Sequence, residues 1–178
     1  RRLPRQNGKS SLLIANLNIR SLYNKVDMVG ELIHQNHIDI LCVTETWLNE
    51  SVRDGEIQIE GFNIFRKDRA TRGGGVALYV RENIKTIVRN DLFDNNRIES
   101  CWVEIHLPGV SPFLVCSLYR PPNADKDYYT EIIDMITNAS ASKQEIMILG
   151  DFNIDYKIDE SVHKNPINYI EQLFDFNQ

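Results

Sequence analysis

The chain is built from short apolar runs, each of which stops at a polar residue. Ser11–Leu17, Ile38–Val43, Val76–Val80, Pro112–Tyr119 and Ile146–Leu149 are rich in valine, isoleucine and leucine, and none approaches the length of a membrane span. Runs of this length and β-branched content, bounded by turn residues, read as buried strands. Cys101, Val103 and Ile105 alternate with Trp102, Glu104 and His106, which predicts a further strand with two different faces. A short strand is expected over Asn63–Arg66. Two segments have helical spacing instead: Val26, Val29, Leu32 and Ile33 within residues 25–36, and Tyr128, Tyr129, Ile132, Ile133 and Ile136 within 125–139, with Asp125 as a candidate cap. A last helix is expected over Asn165–Phe174, with Pro166 in its first turn. The strand, helix and strand up to Val43 form a unit that lays parallel strands in a covered sheet. Strands outnumber helices, and the mixture fits a two-sheet α/β sandwich better than one doubly wound sheet.

A length of 178 residues and a hydrophobic fraction of 42% suit one domain with a full core. Residues 1–10 read as a flexible basic lead-in and 11–178 as the domain; residues 46–62 read as a long loop. The net charge of −5 excludes a chain that is basic throughout, but the charge is uneven. Arg1, Arg2, Arg5 and Lys9 precede the first strand. Arg66, Lys67, Arg69 and Arg72 cluster around Asp68, and the chain from Glu145 onward is acidic. An acidic site holding a divalent cation still binds a polyanion, because the metal inverts the local field. Cys42, Cys101 and Cys116 all lie in apolar stretches without a C-x-x-C pair, which predicts buried free thiols in a reducing compartment, nuclear or cytoplasmic, and argues against zinc.

Four of the strands run into polar residues at their C-terminal ends: Asn16-Leu17-Asn18, Thr44-Glu45-Thr46, Tyr119-Arg120 and Asp151-Phe152-Asn153. Strand ends of this kind gather at one rim, where ligands bind. The set holds carboxylates, carboxamides, a phenol and a guanidinium, with no activated serine, no cysteine–histidine pair and no histidine cluster. Glu45 is a hard oxygen ligand suited to Mg²⁺ or Mn²⁺. Asp151 can orient or deprotonate a water, and Asn18 and Asn153 can position a phosphate without adding negative charge. Tyr119 can donate to a phosphate oxygen and Arg120 can grip one; Arg72 is a further candidate contact. Asp151 and Asn153 at i, i+2 share a face on a pleat, and they equally suit an Asx turn. Gly73-Gly74-Gly75 can cradle a phosphate, but a tight turn or a close approach of backbones is favoured, since neither a P-loop lysine nor a helix follows.

In order, Leu17-Asn18-Ile19-Arg20-Ser21-Leu22, Thr44-Glu45-Thr46-Trp47-Leu48, Gly73-Gly74-Gly75-Val76-Ala77-Leu78-Tyr79-Val80, Glu99-Ser100-Cys101-Trp102-Val103-Glu104-Ile105, Leu118-Tyr119-Arg120-Pro121-Pro122 and Leu149-Gly150-Asp151-Phe152-Asn153 resemble the endonuclease/exonuclease/phosphatase superfamily. The likeness spans about residues 11–155 and is greatest to the endonuclease domain of LINE-type (non-LTR) retrotransposon proteins. It implies an α/β/β/α four-layer sandwich of the deoxyribonuclease I type. It implies Glu45 as principal metal ligand with Asn18 beside it, Tyr119 on the scissile phosphate, Asp151 at the water and Asn153 stabilising the transition state. The implied reaction is Mg²⁺- or Mn²⁺-dependent nicking of DNA by a monomer, leaving a 3′-hydroxyl for a C-terminal reverse transcriptase in the parent protein. The pattern closes elsewhere with a further aspartate and a Ser-Asp-His. Only His163 follows Asp151 here, and it reads as a loop residue. The chain is therefore expected to lack the last strands of the fold and to have weak or no activity. Two alternatives stay open: a phosphatase or phosphodiesterase acting on a small phosphoester, and a non-enzymatic truncated remnant.

Overall fold

A computed structural model of the chain describes residues 12–92 and 97–153. The expected lead-in over 1–10, the helix over 165–174 and His163 lie outside the described residues. Among the described residues, eight strands and two α-helices follow in order: β1 (Ile14–Asn18), α1 (Val26–Gln35), β2 (Ile40–Thr44), β3 (Phe62–Lys67), β4 (Val76–Arg81), β5 (Lys85–Val88), β6 (Glu99–His106), β7 (Phe113–Tyr119), α2 (Lys126–Ser140) and β8 (Glu145–Asp151).

The strands form two four-stranded sheets, ordered β1-β2-β4-β3 and β5-β6-β7-β8. Each sheet contains one parallel pair, and a helix carries the chain across each: α1 between β1 and β2, α2 between β7 and β8. All the other pairings are antiparallel. Period-two alternation decides where each side chain goes. Ile40 and Cys42 of β2 and Val76, Leu78 and Val80 of β4 face Cys101, Val103, Ile105, Phe113 and Val115 across the sandwich. Leu41, Val43, Ala77 and Tyr79 point the other way, against Val29 and Ile33 of α1. Trp102, Leu114, Cys116 and Leu118 likewise meet Tyr128, Ile132, Met135 and Ile136 of α2. The layers are helix, sheet, sheet, helix, the two-sheet sandwich expected from the strand pattern in the four-layer order that the resemblance implies. Strands covered on both faces explain the continuous apolar runs of β2 and β7.

Asp125 caps α2 as expected, its carboxylate accepting from the Tyr128 amide at 3.1 Å. Burying the apolar stripe of α2 stabilises the layer by roughly 1.5–3 kcal/mol per large side chain. Two elements depart from the sequence reading. No strand was expected at β5, a charged four-residue edge that leaves Ile87 and Val88 about two-fifths exposed. The faces of β6 differ in partner more than in polarity, since both are buried up to Val103. Among the described residues no helix is long and apolar enough to cross a membrane.

Candidate active site

The two sheets present their polar strand ends at a common rim. In the second sheet the register sets Glu99, Tyr119 and Asp151 side by side on β6, β7 and β8. In the first, Asn18 lies opposite Thr44, and Glu45 follows directly. Side chains then join the sheets. Asn18 Nδ2 donates to Asp151 Oδ2 at 2.7 Å, Asn16 Nδ2 to the Gly150 carbonyl at 3.3 Å, and Ser117 Oγ to the Val43 carbonyl at 3.2 Å. Tyr119 hydrogen-bonds Glu45 across the same seam.

Glu45 sits on a backbone held from both sides. Its carbonyl accepts from the Ser21 amide at 2.8 Å, while Thr46 and Trp47 donate to the carbonyls of Gly75 and Gly74 at 3.2 and 2.9 Å. The glycine triplet is thus the close approach of backbones that the sequence favoured. A Cβ on Gly75 would overlap the Thr46 hydroxyl, and one on Gly74 would overlap the Glu99 carboxylate. The adjacent amides serve two acids, Gly74 N donating to Glu45 Oε2 at 3.4 Å and Gly75 N to Glu99 Oε2 at 2.5 Å.

Burial pushes the Glu45 carboxyl up, but hydrogen bonds from Tyr119, Trp47 and Gly74 and the charge of Arg69 outweigh it and hold the group below the usual glutamate range. Glu45 is therefore anionic near neutral pH. Burial and the bond to Glu45 push the Tyr119 phenol well above its ordinary value, so it remains a proton donor. Burial raises Glu99 despite its contacts to Gly75 and to Arg69 Nε at 3.3 Å.

The loop after β8 is an Asx turn. Asn153 N donates to Asp151 Oδ1 at 3.0 Å, and Asn153 Nδ2 to the Arg120 carbonyl at 2.7 Å. The strand ends at Asp151 and Asn153 is left-handed (φ 48°), so the turn, and not the pleat, sets the relation of the two side chains. Asn153 also bonds the Tyr119 hydroxyl.

The structure therefore brings Asn18, Glu45, Tyr119, Asp151 and Asn153 together. It places Arg120 beneath them, 6% exposed, with its guanidinium donating to the carbonyls of Phe152, Asn153 and Ala124 at 3.3, 3.2 and 3.1 Å. There it clamps the turn. Arg72 lies out on the glycine loop, its guanidinium 6.0 Å from the centroid of the Trp47 ring. Glu99 was missing from the sequence-derived set. Glu99 opens its strand where the other rim residues close theirs, because an antiparallel neighbour brings its N-terminal end to the same rim. An acid heading the apolar run of β6 was the available signal.

Among the described residues no group of three or more His, Cys, Asp and Glu is drawn together as a metal cage. The donors at the rim are instead oxygens: the carboxylates of Glu45 and Asp151, and the amide oxygen of Asn18, whose nitrogen is spent on Asp151. One or two carboxylates and otherwise water is the set that Mg²⁺ accepts, so the residues fit such an ion.

Two sheets packed face to face, with helices outside and an oxygen-rich rim, give a deoxyribonuclease I-like fold. The chain belongs to the Endonuclease/Exonuclease/phosphatase family, which matches residues 15–171. No curated protein matches it. Solved structures share its fold at low identity. The endonuclease domain of TRAS1, a telomere-specific non-LTR retrotransposon, superposes with a TM-score of 0.58 at 16% identity, covering 82% of this chain and 61% of its own. The APE2 catalytic domain of Xenopus laevis gives 0.63 at 17%, covering 90% and 67%. A mannosyl-6-phosphatase of Bacteroides thetaiotaomicron gives 0.63 at 14%, covering 91% and 71%. This chain thus spans about three-fifths of the length of the TRAS1 domain.

Proposed function

We propose that this chain hydrolyses DNA phosphodiester bonds with a divalent cation, as the nicking endonuclease domain of a non-LTR retrotransposon protein. The observation that carries the reading is the meeting of Asn18 with Asp151 across the two sheets, beside an anionic Glu45 bonded to Tyr119. Glu45 and Asn18 hold Mg²⁺ or Mn²⁺, which when bound supplies the charge that neutralises a non-bridging phosphate oxygen and the leaving oxyanion. Asp151 is fixed by donors on both carboxylate oxygens, Asn18 Nδ2 and Asn153 N. A carboxylate so aimed orients the attacking water and accepts its proton. Tyr119, kept protonated, donates to the phosphate, and Asn153 orients its hydroxyl. Arg120 keeps the turn in place from below, and Arg72 offers a cation to the DNA backbone. The product is a nick with a 3′-hydroxyl, which a C-terminal reverse transcriptase of the parent protein would extend. Three buried free thiols suit a reducing compartment, the nucleus or cytoplasm.

A supercoiled-plasmid assay with Mg²⁺ or Mn²⁺ tests this reading. At most slow conversion to open circle is expected, with Glu45→Ala slowing it by about a further 10²-fold. Nicking indifferent to Glu45→Ala would overturn the site. Hydrolysis of small phosphoesters with no action on the plasmid would replace DNA as the substrate.

A further inference from the structure

The roles above leave the indole Nε1 of Trp47 unused, although it touches the carboxylate at the centre of the rim. It donates to Oε2 of Glu45, the same oxygen that accepts from the Gly74 amide. A glutamate side chain turns about three bonds, and ordering it when a cation binds costs conformational entropy unless a partner has already fixed it. The indole is one such partner, beside Tyr119 and the Gly74 amide. The backbone is bent to bring the two groups together. Glu45 and Trp47 both lie in the left-handed region, at φ 57° and 54°, where residues with a side chain are uncommon. Strain of this kind persists only where neighbouring structure over-determines it, here the ladders to Ser21 and Gly74, and it gathers at functional sites. The ring is only partly buried, and Arg72 lies over it.

We propose that Trp47 is a positioning residue for the cation site. Its N–H holds the Glu45 carboxylate in one orientation, and its ring seats Arg72 next to it. The inference rests on Glu45 being the cation ligand. Partners of this kind, one step removed from the ion, typically change metal affinity by about 10- to 100-fold.

The test is Mn²⁺ alone, titrated into the full chain and followed by loss of the free-ion paramagnetic signal. Trp47→Phe keeps a ring for Arg72 and removes the N–H. It is expected to weaken Mn²⁺ binding about 10-fold while the metal-free melting temperature stays within a degree or two of the parent, and Glu45→Ala is expected to abolish binding. Parent-like affinity in Trp47→Phe, with binding lost in Glu45→Ala, would overturn the role of Trp47 and leave the site standing. Undiminished binding in Glu45→Ala would overturn the site and the role of Trp47 with it. A second readout needs no variant: Mg²⁺ should alter the emission of Trp47, because the other tryptophan, Trp102, is 3% exposed beneath α2. Unchanged emission at saturating Mg²⁺ would overturn the proposal.

Discussion

Replacing Gly150 with alanine probes the seam on which the rim depends. Gly150 faces Leu118 in the parallel β7–β8 pair, immediately before Asp151. A Cβ at Gly150 would overlap the Leu118 carbonyl oxygen and lie 2.7 Å from its carbonyl carbon and 3.1 Å from its amide nitrogen. The obstacle is backbone, and β7 is buried along its whole length, so no side chain can swing aside. Alanine in a strand ordinarily gains about 0.5–1 kcal/mol over glycine. Overpacking costs about 1–3 kcal/mol, with the upper end appropriate where backbone must shift. The net expectation is a loss of about 2 kcal/mol. At about 2–4 °C per kcal/mol for a chain of this size, the melting temperature falls by about 4–8 °C. Because β8 must move, the 2.7 Å bond between Asn18 and Asp151 is lost as well, so nicking falls further than the melting shift accounts for. Gly55→Ala is the control: nothing lies within 4 Å of its Cβ position, and a change within about 0.5 kcal/mol is expected. Thermal melting followed by circular dichroism reads both. Gly150→Ala melting at or above the parent temperature would show that the β7–β8 seam has room for a Cβ.

Asp125→Ala removes the α2 cap and is expected to lower the melting temperature by about 2–4 °C, with little added by its exposed pair to Arg97. Burial holds the Glu99 carboxyl above its ordinary value of 4.5, so its contribution to stability is complete below that pH and is lost as pH rises through the raised folded value. Glu99→Gln stays neutral, so the melting temperature of the variant minus that of the parent should rise with pH over that window; a flat difference contradicts the assignment. Burial pushes Cys101 up to about 12 and Cys42 and Cys116 higher still, so a thiol reagent should label none of the three rapidly in the native chain and all three in denaturant. Fast labelling under native conditions would refute their burial.

Where a segment is covered on both faces, as β2 and β7 are, its composition alone declares a strand. Where an amphipathic stripe meets a cap, as at Asp125, a helix and its start are legible together. Residues 85–88 carried no such signal because an edge strand keeps two apolar side chains in solvent and opens on a lysine. At the rim, Asn18, Glu45, Tyr119, Asp151 and Asn153 could be listed from strand ends, since polar residues closing apolar runs are conspicuous. What joins them was not legible. Two of the three carbonyl partners of Arg120 lie on a turn more than thirty residues away in sequence, and the link from Trp47 to Glu45 depends on two left-handed residues that no periodicity announces. Glu99 became visible only through the antiparallel register that places it beside Tyr119.

Strand ends from both sheets are expected to act as one hydrolytic unit. A double-mutant cycle on Asn18→Ala and Asp151→Ala, read as the rate of Mg²⁺-dependent plasmid nicking in variants that melt like the parent, tests it most directly. Groups that act as a unit lose their effect together. Each single substitution is expected to slow nicking by about 10²-fold or more, with the double variant no slower than the worse single. Losses that multiply, or a nicking rate that either substitution leaves unchanged, would contradict it.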